Sequence, residues 1–66
     1  MTILDSLNET IKNYELDTLM KVVDEGMFLS VRRLEDNSQI FGSQDDNMVY
    51  SFISEYYRTF ILKERY

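Results

Sequence analysis

Hydrophobic positions at the start of the chain repeat with the spacing of a helix. Four apolar side chains share one face of the helical wheel: Ile3, Leu4, Leu7 and Ile11. Thr2 stands where an N-cap residue is expected, and Asp5 follows three residues later, which is the T-x-x-D form of a capping box. The pattern predicts a first helix from Thr2 to about Asn13.

The segment Thr18–Val23, with the sequence TLMKVV, fits two structures. As a helix it would carry an apolar stripe with a C-cap at Gly26, and the stripe would consist of Leu16, Leu19, Met20 and Val23. As a strand it would use its β-branched residues and turn at Asp24-Glu25-Gly26. The strand is favoured because two carboxylates would oppose the dipole at a helix C-terminus, and because an isolated two-stranded hairpin is marginal.

The remaining pattern predicts a hairpin and a long helix. Met27–Leu34 is typical of a strand, and Gln39–Gly42 returns after a polar turn. Ser43 is the expected N-cap of a helix reaching Tyr66, with Asp46 at the capping-box position. We therefore expect one α+β domain over residues 1–66, a three-stranded antiparallel meander packed by an N-terminal helix and a long C-terminal helix. With a helical 18–23 segment, the order would be α-α-β-β-α.

The last helix has an apolar face wider than a surface helix needs. Its central stripe is predicted to be core: Val49, Phe52, Ile53, Tyr56 and Phe60. Tyr50, Tyr57 and Ile61 extend the face on one side, and a core this small is expected to leave them uncovered. Tyrosine is enriched at interfaces, so interface and plain packing are both open for Tyr50 and Tyr57.

Charge and composition narrow the function class. The net charge of −5 opposes a nucleic-acid backbone and suits a basic protein surface, although plain solubility also explains it. The chain has no cysteine or histidine, and no nucleotide-, zinc- or hydrolase-type motif occurs. We therefore expect no catalytic residue, metal or cofactor. A small acidic hydrolase would need convergent carboxylates in a pocket, for which a chain of this length has little room.

Acidic pairs fall at the ends of the predicted elements. In a meander, the first turn and the start of the last helix lie at the same end of the sheet. We expect the carboxylates there to form one acidic end, which consists of Asp24, Glu25, Asp45 and Asp46. Such an end imitates a row of phosphates. The other interpretation is that these turns are simply solvated and that Asp45 and Asp46 cap the helix.

At the level of class, the chain resembles the small acidic inhibitors that phages make against host enzymes and defence systems, including some anti-CRISPR proteins. The resemblance lies in size, charge, element order and the helix start at Ser43–Ile53. It implies a non-enzymatic DNA mimic that binds a basic surface of a host protein, such as a surface that otherwise holds nucleic acid. The candidate binding residues are the acidic end together with Tyr50, Tyr57 and Ile61. The alternative is a homodimeric structural or adaptor module paired through the aromatic C-terminal helix.

Features that are absent from the sequence bear on the location and origin of the protein. No basic region followed by an apolar run opens the chain, and no apolar stretch approaches the roughly 20 residues that span a bilayer. We expect a cytoplasmic protein without direct nucleic-acid or membrane contact, in the host cytoplasm if a phage encodes it. The absence of alanine and proline, whose codons are GC-rich, hints at an AT-rich genome such as many phages have.

Overall fold

A computed structural model describes residues Thr2–Lys63 and confirms the predicted order of helix, three strands and helix. The elements are α1 Ile3–Asn13, β1 Met20–Asp24, β2 Leu29–Arg33, β3 Gln39–Ser43 and α2 Asp46–Tyr56, which continues as a π-helical segment, Tyr57–Ile61. The strands form one antiparallel sheet in the order β1-β2-β3. Both helices contact the sheet, α1 through β1 and α2 through β3 and β2.

The predicted capping box of α1 is present. The Thr2 hydroxyl accepts a hydrogen bond from the Asp5 N–H at 3.1 Å, and the Asp5 carboxylate accepts one from the Thr2 N–H at 3.4 Å. These contacts pair two backbone donors that no helical turn can pair. Leu7 and Ile11 are buried on the inner face, as the helical spacing predicts.

The ambiguous segment is a strand, but it starts two residues later than predicted. The Leu19 N–H donates to the Leu16 carbonyl at 2.9 Å, so Thr18 and Leu19 belong to a turn that follows α1. Leu16 is completely buried below this turn. Burying Leu16 fixes where the chain enters β1, a constraint that no local pattern in the segment reveals.

The sheet separates a helix-covered face from a helix-free face. Val22, Val31 and Phe41 occupy one register row and pack in the core beneath the helices. Successive side chains of a strand point to opposite faces, so Ser30 and Arg32 lie on the helix-free face. The core consists of eight buried residues from both helices, the sheet and the α1–β1 turn: Leu7, Ile11, Leu16, Met20, Val22, Val31, Val49 and Ile53.

Two predictions about the start of the last helix are wrong. Ser43 is the final residue of β3, where it pairs with Leu29, and the N-cap is Asp45. The Asp45 carboxylate accepts the Asn47 N–H at 2.9 Å, while the Ser43 hydroxyl accepts the Asp45 N–H at 3.0 Å. Asp46 is the first helical residue and not the partner in a capping box. Strand pairing holds Ser43 in the sheet and moves the cap by two residues.

The end of the helix also differs from the prediction. The α-helix becomes a π-helix at Tyr57 and ends at Ile61 with Leu62 as its C-cap, and Lys63 has a left-handed φ of 57°. The predicted remainder up to Tyr66 lies outside the described residues. Phe60, predicted to be core, is 61% exposed because it lies beyond the sheet that buries Val49 and Ile53.

Candidate functional site

The structure brings the predicted acidic residues to one end of the molecule. Asp24 ends β1 and Ser43 ends β3, and both lie in the register row of Leu29. Asp24 and Asp46 line the same surface groove, together with the first residues of α1. Asp5, in the first turn of α1, adds a carboxylate that the sequence interpretation did not assign to this end.

The carboxylates of the acidic end differ in their local roles. Asp24 accepts the Gly26 N–H at 2.8 Å, and Asp45 caps α2, so both also stabilise local structure. Glu25 turns toward the helix-free face, where its Oε1 lies 2.7 Å from Arg32 Nη2 and accepts from Arg32 Nε at 2.9 Å. Glu25 is therefore paired with Arg32. The charge offered to a partner comes from Asp5, Asp24, Asp45 and Asp46.

A shallow groove between the two helices joins the acidic end to exposed apolar side chains. Ile3 is 53% exposed and Tyr50 is 48% exposed. Both line a groove of about 200 Å³ that also includes Asp46. Ser6 and Thr10 of α1 and Asn47 of α2 supply polar groups along it. We call this surface, from Ile3 and Asp46 to Tyr50, the inter-helix groove.

Tyr50 is the predicted interface residue whose exposure agrees best with that role. It lies beside Tyr14, the C-cap residue of α1, and hydrogen bonding with the Tyr14 hydroxyl raises the pKa of the Tyr50 phenol above its ordinary value. The Tyr14 hydroxyl is also 3.4 Å from the Ser54 hydroxyl. At neutral pH the Tyr50 phenol is protonated and available both as a donor and as an apolar surface.

Tyr57 has a different environment from Tyr50. Its ring stacks on Tyr14 with centroids 4.6 Å apart and planes 24° apart, and it is half-buried against the core. Ile61 is 46% exposed and borders a second small cavity of about 220 Å³ with Asn13 and Tyr57. The Tyr14 ring thus covers part of Tyr57, while Tyr50 and Ile61 remain exposed.

The other flank of α2 carries a row of aromatic rings. Phe41 of β3 stacks on Phe52 with centroids 4.6 Å apart and an angle of 8°. The ring centroids of Phe52 and Tyr56 are 6.1 Å apart, and those of Tyr56 and Phe60 are 4.7 Å apart. We call these four residues the aromatic row. Most of the stripe that a helix-paired dimer would share is therefore packed within its own chain, and Phe60 is its most exposed member.

Neither a metal-binding cluster nor a membrane-spanning helix is found among residues Thr2–Lys63. Between Thr2 and Lys63, no group of three or more acidic, histidine or cysteine side chains is arranged to hold a metal ion. In the same part of the chain, no helix has the length and apolar character needed to cross a membrane.

The comparisons with known proteins return nothing. No protein-family model, curated protein or solved structure matches this chain.

Sequence reasoning missed Ile3 of the inter-helix groove and Tyr14, which lies beside Tyr50. Ile3 shares the apolar spacing of Leu7 and was counted with the inner face of α1, yet it extends past the start of α2 and stays exposed. Tyr14 follows the last residue of α1, and nothing local indicates that it contacts α2. Its position one helical turn beyond Ile11 was the available signal.

Proposed function

We propose that this chain is a small non-enzymatic inhibitor that binds a basic surface of a host protein, as small phage-encoded inhibitors do. The observation that carries the proposal is the inter-helix groove, where exposed Ile3 and Tyr50 lie beside Asp46 at the acidic end. An apolar anchor with a charged rim is the usual composition of a protein-binding patch.

Charge and anchor have separate roles in this proposal. The carboxylates attract a basic surface and speed association, an effect that salt weakens. Ile3 and Tyr50 supply apolar area that is buried on contact and slows dissociation. A surface that normally holds nucleic acid fits the charge requirement, so nucleic acid should compete for the same partner.

The electrostatic test neutralises charge without removing local structure. In the triple variant Asp24→Asn, Asp45→Asn and Asp46→Asn, each side chain keeps a carbonyl oxygen that can accept the turn and cap hydrogen bonds. The matched control changes exposed acids outside the proposed binding surfaces, as Glu9→Gln, Asp17→Asn and Glu55→Gln. Both variants lose the same formal charge.

Both variants and the wild type are used as baits in a bacterial lysate, and a protein captured by the wild type is purified for calorimetry. We expect the acidic-end variant to bind at least tenfold more weakly, the control to stay within about twofold, and duplex DNA to compete. Equal affinity of the acidic-end variant and the control would refute the proposal, as would capture that DNA leaves unchanged.

The anchor test uses two exposed residues of the same helix. Tyr50→Ala should increase the dissociation rate of the captured protein, whereas Met48→Ala, which removes a comparably exposed side chain from α2 outside the groove, should leave it unchanged. Equal effects of the two substitutions would remove the inter-helix groove from the proposed interface.

A further inference from the structure

The two outer strands of the sheet differ in how their free edges are treated. At the β1 edge, the Asn8 side chain accepts from the Val22 N–H at 3.0 Å and donates to the Val22 carbonyl at 3.0 Å. The Met20 N–H donates to the Leu16 carbonyl at 3.1 Å. Residues of the same chain thus occupy the positions of a neighbouring strand and close this edge.

The β3 edge has no equivalent cover. Among residues Thr2–Lys63, the backbone of β3 makes its hydrogen bonds with β2 and none with another element. The N–H and carbonyl of Val22 both point to Asn8, away from β2, so the N–H and carbonyl of its partner Val31 point away from β1 and toward Phe41 of β3. Hydrogen-bonded and non-hydrogen-bonded pairs alternate along an antiparallel ladder. The next pair, Ser30 and Gly42, is therefore not hydrogen-bonded, and the N–H and carbonyl of Gly42 face outward.

Gly42 has no side chain of its own at this edge. On the helix-free face, the Gln39 amide nitrogen and the ring of Phe28, 3.2 Å away, occupy the space where a Cβ would lie. On the helix side, the stacked rings of Phe41 and Phe52 flank the edge and are half-buried. A strand placed here would gain backbone hydrogen bonds and aromatic contacts at once.

The charges around β3 indicate what kind of strand fits. Glu35 and Asp36 lie in the turn before β3, and Asp45 and Asp46 follow it. A second copy paired antiparallel through β3 would place these acidic ends against each other. A basic segment would find an opposite charge at either end, whichever direction it runs.

We propose that β3 accepts an extended, lysine- or arginine-rich segment of the partner protein as a fourth strand. The inference deepens the proposed function and rests on it, since it states how part of the partner is held. The inter-helix groove would contact the folded body of the partner, and the β3 edge would bind an extended segment of it.

The test uses a defined probe, a capped nine-residue peptide of alternating lysine and valine, with the full-length protein. We expect saturable binding by fluorescence anisotropy, and slower hydrogen exchange at the Gly42 amide when the peptide is present. The Val22 amide is the internal reference, since Asn8 already occupies it. Methylating every backbone nitrogen of the peptide removes its donors but keeps its charge, and should weaken binding at least tenfold.

Several results would overturn the inference. One is the absence of saturable binding of the lysine–valine peptide, and another is unchanged hydrogen exchange at the Gly42 amide. The inference also fails if the methylated peptide, or a glutamate–valine peptide, binds as tightly as the lysine–valine peptide. A dimer seen by sedimentation, with the Gly42 amide already protected, would show that a second copy occupies the edge instead. The two proposals can fail independently. The acidic-end and Tyr50 variants test binding of the captured protein, whereas hydrogen exchange at the Gly42 amide tests the addition of a strand to β3.

Discussion

Asn8 is the residue whose replacement tests the packing of α1 on the sheet most directly. Its half-buried side chain makes three hydrogen bonds, two to Val22 and one, at 3.1 Å, to the Leu4 carbonyl. Asn8→Ala leaves the Val22 N–H and carbonyl without these partners at the edge of β1. We expect the variant to be less stable and its β1 edge to become available for pairing.

The magnitude follows from the bonds lost. Three hydrogen bonds at about 1 kcal/mol each contribute about 3 kcal/mol, and the better helix propensity of alanine returns roughly 0.5 kcal/mol. The free energy of unfolding should therefore fall by about 2.5 kcal/mol. For a domain of this size, that corresponds to a fall in melting temperature of roughly 10–20 °C.

The assay is chemical and thermal unfolding followed by circular dichroism, with amide exchange at Val22 as the local reading. Asn13→Ala is the matched control, because Asn13 is an exposed asparagine of the same helix, and its effect should stay within about 0.5 kcal/mol. Equal stability of the two variants would refute the bonding scheme around Asn8.

A second substitution at this position gives a pH-dependent reading. Asn8→Asp keeps an acceptor for the Val22 N–H, but the ionised carboxylate has no proton for the Val22 or Leu4 carbonyl. Protonation restores one donor. The loss of stability relative to wild type should therefore be larger at pH 7 than at pH 3, and a loss independent of pH would contradict the geometry.

Three further outcomes are expected. Ser30→Ala should raise the free energy of unfolding by about 1 kcal/mol, because the Ser30 hydroxyl is fully buried without a hydrogen-bond partner among the described residues; a lower melting temperature would show that it has one. In an unfolding titration, Phe60→Ala should lower the free energy of unfolding by less than about 1 kcal/mol, whereas Val49→Ala should lower it by about 1–3 kcal/mol. The reason is that Phe60 is exposed and Val49 is buried. A larger loss for Phe60→Ala than for Val49→Ala would place Phe60 in the core. Hydrogen bonds from the Ser38 hydroxyl and N–H lower the pKa of Asp36. The stability that this carboxylate contributes is therefore present at neutral pH and is lost as the pH falls through its folded-state pKa. Ser38→Ala should raise the Asp36 pKa in an NMR titration, and an unchanged pKa would exclude the hydroxyl as the main cause.

Local chemistry allowed much of the fold to be predicted. The Thr2–Asp5 capping box acts within one helical turn, and the hairpin depends on alternation and on polar turn residues close in sequence. The argument for a third strand rested on the weakness of a lone hairpin, and the sheet confirms it. The gathering of acidic residues at one end followed from the meander order alone.

The boundaries of the last helix needed the sheet. Ser43 has the chemistry of an N-cap, yet pairing with Leu29 keeps it in β3 and leaves the cap to Asp45. Phe60 has the spacing of a core residue, but the sheet ends before reaching it. Periodicity gives the direction of a side chain around a helix, and it does not give the length of the surface on which the helix packs.

Some features of the candidate site also follow from the sequence, and others follow only from the tertiary structure. By itself, the sequence determined that the chain is acidic, that its carboxylates lie at the ends of elements, and that its last helix has more aromatic surface than one face needs. Only the tertiary structure decided that the Tyr14 ring covers part of Tyr57 while Tyr50 and Ile3 stay exposed beside Asp46, and that Asn8 closes one edge of the sheet while β3 stays open. The first set depends on neighbours in sequence, whereas the second depends on which elements become neighbours in space, and burial, pairing and exposure are properties of those contacts.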